Sequence, residues 1–371
     1  MRGNWSNFAE EKQLLVVTLL LVVTLMDKVV AKILLLLSAG IMYCADARGA
    51  DTGNGTTEKA FDYMPKIHGT LRTRYEMATQ DVMSRFQVRT ARVSVSGNVA
   101  PFIDYYLQTD LNDRGAYSFL DAWGRVAVTN NIKVSLGQMR IPFSVDASRS
   151  PHQYYFANRS TVGKLVGQQR GVGGKIAVAL PGSGITAEAG VFNTHSISQH
   201  KVWERTMDAS CKARYTFGNM FVEAGFESVM PDSVRINQID GAIHWGAGRW
   251  MVEGEYLYKH YTRDRFTPTH AWNVMADYRM PIRTNTFNYL SLQARYDGIT
   301  ANSQGTRDDD GLLYATQPRH QRATVGATLS YVHPKVSADL RLNYENYFYP
   351  SDAEVPVDDK SKVVVELVIR F

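Results

Sequence analysis

Val363-Val364-Val365-Glu366-Leu367-Val368-Ile369-Arg370-Phe371 closes the chain, and its alternation decides the fold. The odd positions are all apolar, whereas the even ones include Glu366 and Arg370. Side chains on a strand point to opposite faces at period two, so one face here is greasy and the other partly charged. An amphipathic edge strand of a soluble sandwich has the same period, and what separates the two readings lies upstream.

The chain has 371 residues, 44% hydrophobic and 21% charged, a composition that excludes disorder. No sustained helical period follows the polar lead 48–65. Alternating segments of about ten residues, the mark of a transmembrane barrel strand, predict sixteen strands. They are 66–78, 84–98, 101–111, 118–129, 131–142, 170–180, 183–193, 207–217, 218–229, 235–246, 248–261, 268–281, 286–297, 321–332, 334–347 and 361–371. In the first, Ile67, Leu71, Tyr75 and Met77 oppose His68, Arg72, Arg74 and Glu76. In the eleventh, Trp250, Val252, Tyr256 and Tyr258 oppose Glu253, Glu255 and Lys259; in the fifteenth, Leu340 and Leu342 oppose Asp339, Arg341 and Glu345. A phase slip between Val88 and Val93 predicts a bulge in the second strand.

The connections fall into two kinds. Even-to-odd ones are short and turn-rich, as in Leu180-Pro181-Gly182-Ser183-Gly184, Phe217-Gly218-Asn219 and His333-Pro334. Odd-to-even ones run longer, notably 143–169, 194–206, 298–320 and 348–360. Short turns on one rim and long loops on the other are how a bacterial barrel meets periplasm and exterior. Many of the 41 aromatic residues fall near strand ends, where amphipathic rings suit the headgroup level. A terminal strand ending in Phe371 also resembles the sorting signal read by the barrel-assembly machinery.

Two apolar runs at the N-terminus, Gln13–Met26 and Val29–Tyr43, each fall short of the ~20 residues a spanning helix needs. Lys28 and Lys32, the run Ile33–Tyr43 and Ala45-Asp46-Ala47 read as a secretory signal, so 1–47 is expected to be removed, with Met26 an alternative start. The rival reading is a retained anchor. Cys44 leaves with the signal and Cys211 stays alone, so no disulfide framework exists. The removed part holds four basic and four acidic residues, which leaves the net charge at +5. That balance points to small anionic or hydrophilic solutes and to lipopolysaccharide as partners, not to nucleic acid.

A strand in lipid must pair all its backbone groups, which only a closed barrel achieves. Sixteen strands leave room for an aqueous channel. With the apolar faces on lipid, Arg72, Arg74, Arg92, Glu253, Glu255 and Arg341 are expected to line a watered lumen, since burying them dry is prohibitive.

Gly137-Gln138-Met139-Arg140-Ile141-Pro142-Phe143-Ser144 ends the fifth strand and resembles the G-Q-x-(K/R)-x-P-F-S signature of the phosphate-selective porin O and P family. Arg89-Thr90-Ala91-Arg92-Val93, Tyr106-Leu107-Gln108-Thr109-Asp110, Ala157-Asn158-Arg159-Ser160 and Gly190-Val191-Phe192-Asn193 resemble further pieces of it in order. Where that family often has Arg-Asp before a glycine, this chain reads Arg170-Gly171, so whatever pairing the acid provides is missing. The resemblance implies a trimer of sixteen-stranded outer-membrane barrels, each narrowed by an inward-folded third loop. Independently, 143–169 is the longest interior loop, and structureless loops of that length are usually functional or disordered. It carries Arg149, His152, Arg159 and Lys164 against Asp146, flanked by Arg140, Arg170 and Lys175. Basic rings attract anions, and guanidinium grips phosphate or carboxylate in bidentate fashion. The expectation is a general anion bias set by these residues; the alternative is a solvated basic loop touching lipopolysaccharide.

No cofactor or metal is expected. His195 and His200 lack a further clustered ligand, and Asp308-Asp309-Asp310 lacks calcium-loop spacing. Two other classes stay open: an outer-membrane barrel enzyme, requiring a nucleophile-base pair at the outer rim, and a secreted β-protein without a channel, requiring extraction without detergent. A plugged transporter needs about 22 strands and a plug for which the lead is too short.

Overall fold

The computed structural model describes residues 63–371 apart from 112–114, 167–169, 233, 285, 306–316 and 352. The signal segment 1–47, most of the lead 48–65 and Asp308–Asp310 lie outside the described residues.

Antiparallel strands fill the described chain: β1 (Lys66–Ala78), β2 (Ser84–Ala100), β3 (Ile103–Leu111), β4 (Tyr117–Ala127), β5 (Ile132–Arg140), β6 (Arg170–Leu180), β7 (Ile185–Asn193) and β8 (Met207–Phe217). There follow β9 (Met220–Val229), β10 (Ile236–Ala247), β11 (Trp250–Tyr261), β12 (Thr269–Pro281), β13 (Tyr289–Ile299), β14 (His320–Val332), β15 (Ser337–Phe348) and β16 (Lys362–Arg370). Each pairs with its neighbours in sequence, and β1 pairs with β16, with Thr70 opposite Arg370, which closes a sixteen-stranded barrel. Closure leaves no edge, so the ladder satisfies every strand from both sides. The predicted segments match these strands within about three residues. The largest shifts, three residues each, are at the starts of β13 and β15; before β13 the turn runs to Asn288, where Asn288 N–H donates to Ser330 O at 3.0 Å.

The faces separate as the alternation requires. Val252 and Leu340 are exposed at 37% and 39%, while their neighbours Glu253 and Arg341 are 0% and 2% exposed. The outer face is thus apolar and the inner face ionic. The predicted bulge is present: Arg72 faces Thr90 and Thr73 faces Val88, leaving Arg89 as the extra residue. Cys211 stands exposed on β8, in the outward-facing set with Ala209 and Ala213. In reconstituted membranes it is expected to react with a bilayer-soluble thiol reagent and to resist a charged, water-soluble maleimide. Equal reaction with both would turn β8 inside out.

Between β5 and β6 lie two short helices, α1 (Val145–Ser148) and α2 (Thr161–Leu165). They carry a small apolar core, in which Phe143, Ala147, Val162, Leu165 and Val166 pack on Leu257, Ala271 and Ile299. These last three interrupt the polar inner face of β11, β12 and β13. At ~1.5–3 kcal/mol per fully buried large aliphatic side chain, the cluster is a substantial anchor for α2.

Candidate functional site: the segment between β5 and β6

The Gly137–Ser144 motif roots this segment, and each of its parts has a physical task. Gly137 sits at φ 128°, and a Cβ there would lie 2.2 Å from Ala122 O, so only glycine lets β5 lie this close to β4. Gln138 Nε2 donates to Phe119 O and Leu120 O at 3.0 and 2.8 Å, at the β3–β4 register shift. Phe143 is 1% exposed in the apolar core, and Pro142 O accepts from Ser210 Oγ at 2.8 Å. Ser144 caps α1, its Oγ accepting from Ala147 N at 3.2 Å. Glu255 on β11 accepts from Ser144 Oγ and Val145 N, both at 2.7 Å, and from Asp146 N at 3.2 Å. Glu255 thus takes up the first N–H groups of α1, which a helix leaves without intrahelical partners.

The far half of the segment is held by β1 and by β13 to β15. Asn343 Oδ1 accepts from Ala157 N at 2.7 Å, and Arg72 Nη2 donates to Ala157 O at 2.6 Å. Arg295 donates to Asn158 O at 2.9 Å and Arg322 to Arg159 O at 2.7 Å. Asp297 accepts from Thr161 N at 2.6 Å. Asp146 ties the two halves together, accepting from Ser160 N (3.1 Å), Ser160 Oγ (2.8 Å) and Arg149 (3.1 Å). Burial pushes the Asp146 carboxyl up, but Arg149, Ser160 and Arg159 outweigh it and hold the group below the usual carboxylate range. His152 goes the other way: burial, with Arg370 and Arg92 nearby, lowers it to about 4, so it is neutral at physiological pH.

The six basic residues singled out from the sequence do not form one ring. Arg149 is spent on Asp146 and Glu253. Arg170 pairs with Asp121 of β4 at 3.1 Å, Lys175 with Glu188 at 2.6 Å, and Lys164 lies 3.9 Å from Asp359. Asp121 supplies from β4, across the intervening β5, a carboxylate partner for Arg170. Arg140 and Arg159 differ. Among the described residues neither has a carboxylate partner, and both converge on the same backbone. Arg140 donates to Ala147 O (3.3 Å), Ser148 O and Arg149 O (2.8 Å); Arg159 donates to Ala147 O and Arg149 O, each at 3.3 Å. Two guanidiniums without an ion-pair partner among the described residues therefore converge on one turn of the segment.

Arg72, Arg74, Arg92, Glu253, Glu255 and Arg341 do face inward, but they do not stand in open water as expected. Glu366 receives Arg72 at 2.6 Å and Arg341 at 3.2 Å, Arg74 reaches Glu76 at 2.9 Å, and Arg92 meets Asp110 at 2.8 Å. The last pair joins two pieces of the family resemblance across β2 and β3. Arg322, 0% exposed, sits between Asp297 (2.7 Å) and Glu345 (3.3 Å). Opposite charges at cross-strand positions neutralise one another, and the segment's backbone accepts further hydrogen bonds from Arg72, Arg295 and Arg322. Asp297, Arg295, Arg322 and Asn343 were not singled out from the sequence, and Glu345 and Glu366 were read only as polar-face residues of their strands. Their signal was only the inward parity of β13 to β16; that they meet a segment some 140 residues away in sequence is legible nowhere in the local pattern.

His195 and Glu204 pair at 2.9 Å in an outer loop, and among the described residues no group of three or more His, Cys, Asp or Glu is placed to hold a metal.

Comparison with known proteins agrees with this architecture. An anion-selective porin from Comamonas acidovorans has a similar structure at TM-score 0.58 and 12% identity, over 83% of this chain and 98% of that one. DcaP, an outer membrane channel of Acinetobacter baumannii, is similar at TM-score 0.56 and 13% identity, over 86% and 100%. The trimer form of OmpT, an outer membrane protein of Vibrio cholerae, is similar at TM-score 0.54 and 15% identity, over 83% and 98%. No curated protein sequence matches the chain. The sequence profile described as phosphate-selective porin O and P matches residues 70–229, from β1 through the motif at Gly137–Ser144 to the end of β9. Over those nine strands the chain is similar to the phosphate-selective porin O and P family.

Proposed function

We propose that the chain is a non-enzymatic outer-membrane porin, a diffusion channel for small hydrophilic solutes that favours anions where the β5–β6 segment narrows it. The observation that carries the anion preference is the pair Arg140 and Arg159, two cations on one turn without a carboxylate between them. Neighbouring ion pairs are neutral at a distance, so this pair dominates the local field. A unit charge ~6 Å from a passing ion in water is worth about 0.7 kcal/mol, or roughly threefold in relative permeability.

Reversal potentials in planar bilayers under a KCl gradient test this. The wild type is expected to favour chloride, and Arg159→Gln to lower the chloride-to-potassium permeability ratio about threefold. Arg140→Gln is expected to lower it similarly and to add current noise, because Arg140 also holds three carbonyls of α1 and its C-terminus. Cation preference in the wild type would refute the assignment.

Further elements of this reading are removal of residues 1–47 on export, assembly through the barrel-assembly machinery with Phe371 as the sorting residue, a homotrimer, and lipopolysaccharide around the outer rim.

A further inference from the structure

We propose that the bilayer-facing wall of β11–β13, beneath the turn 262–268, is a seat for a phosphate-bearing glycolipid, the lipid A part of lipopolysaccharide. It rests on reading the long-loop rim as the outer mouth with lipopolysaccharide around it, and it gives that contact a definite place.

The outward rows of three strands bring six rings together at this rim. Tyr256, Tyr258 and His260 lie toward the end of β11, His270 and Trp272 open β12, and Tyr296 lies near the end of β13. The register sets Tyr256 opposite Trp272 and Tyr258 opposite His270. The Tyr256 hydroxyl lies 2.6 Å from His270 Nδ1, and the Tyr258 ring stands 5.2 Å from the same imidazole. Nδ1 is thereby taken, which leaves Nε2 for a further partner. Aromatic rings at headgroup level are expected of any barrel wall. Histidine is not, and among the described strands only β11 and β12 turn one toward the bilayer.

The turn above the rings carries Arg263 and Arg265, both exposed. Among the described residues neither is held in an ion pair. Asp264 lies between them in sequence and opposes an anion, yet it pairs with neither. The turn is fixed: Thr262 N donates to Arg235 O at 2.9 Å, and Phe266 packs edge-on against Tyr261 at 5.1 Å. Arg263 and Asp264 sit at φ 61° and 47°, a left-handed conformation that residues other than glycine rarely take. Such strain collects at ligand clamps.

This order of groups matches a phosphorylated disaccharide carried on acyl chains. Guanidinium meets phosphate through paired N–H groups. Tyrosine and tryptophan faces, electron-rich at the ring centre, meet the C–H faces of the sugar rings. Farther into the membrane, Val274 and Leu292 stand exposed to the acyl chains. A phospholipid brings phosphate and chains but no sugar face.

The test uses the detergent-purified full barrel, with half-saturating lipid concentrations read by native mass spectrometry. The probes are lipid A with both phosphates, the same lipid with its phosphates removed, and phosphatidylglycerol. Arg263→Asn and Arg265→Gln are each expected to weaken lipid A binding about fivefold, and together about thirtyfold, the worth of two charges at a lipid surface. Asparagine at 263 tolerates the left-handed backbone. Binding of the dephosphorylated lipid is expected to be about thirtyfold weaker than that of lipid A and to be unmoved by either variant. Phosphatidylglycerol, without the sugar face, is expected to bind about two- to tenfold more weakly than lipid A. Lys201→Gln and Arg205→Gln, which remove exposed cations of the β7–β8 loop on the same rim, are expected to leave lipid A binding unchanged. Equal binding of the three lipids, or an equal loss from the β7–β8 variants, overturns the proposal. A barrel that binds lipid A in the expected pattern but passes no KCl current overturns the channel reading alone.

Discussion

Replacing Asp297 by alanine is expected to release the far half of the β5–β6 segment and to raise single-channel conductance. Asp297 holds Thr161 N at 2.6 Å and Arg322 through two nitrogens at 2.7 and 3.1 Å, all on the inner face of β13 and β14. Losing it orphans the first N–H of α2 and leaves Arg322, with no exposure, compensated only by Glu345. Breaking one partner out of a buried pair costs about 3–5 kcal/mol. The barrel ladder itself does not depend on Asp297, so the loss is expected to appear as loop release rather than failure to assemble. The expected readings are a conductance increase, current flicker and a lower unfolding temperature of the extracted barrel. Asp297→Asn, which keeps an acceptor for Thr161 but not the charge, is expected to fall between. Unchanged conductance and noise in the alanine variant would assign the anchorage to the apolar cluster around Val162 and to Glu255.

Deleting Phe371 is expected to have the other large effect, on assembly. The residue closes the β1–β16 seam twice over. Gly69 N donates to Phe371 O at 2.8 Å, and Phe371 N donates to Gly69 O at 3.2 Å. Its ring also covers Gly69, where a Cβ would lie 2.2 Å from the ring. An aromatic side chain over a strand glycine shields backbone that the glycine leaves bare. Deletion removes the bonds, the ring and the terminal aromatic; Phe371→Ala keeps the bonds alone. Heat-modifiable electrophoretic mobility of protein extracted from outer membranes measures folded yield. The deletion is expected to abolish most of it, and Phe371→Ala to reduce it less. Wild-type yield from the deletion would dismiss Phe371 as a sorting residue.

The barrel was legible because a period of two survives in nearly every strand, and the change of phase read at Val88–Val93 marks a real bulge, whereas the register shifts on either side of β3 left no such mark. Turn chemistry set most strand ends closely, and less well before β13 and β15, each of which begins three residues later than the sequence suggested. The motif at Gly137–Ser144 marked the right place, yet its roles became visible only through distant partners: Ala122 against Gly137, Ser210 against Pro142, Glu255 against Ser144. A count of basic residues in the loop overstated the available charge, since Arg149, Arg170 and Lys175 are neutralised by acids from other parts of the chain.

Local alternation, together with the sorting of short turns and long loops, determined that this protein is a closed barrel with an ionic interior, because in lipid the backbone must pair and the side chains must sort by face. Which interior charges remain free to act on a solute was decided by the tertiary structure. Charge is a property of residues, but its compensation is a property of distance. Only the fold brings Asp121 to Arg170 and Glu253 to Arg149 while leaving Arg140 and Arg159 converging on one turn without an ion-pair partner among the described residues.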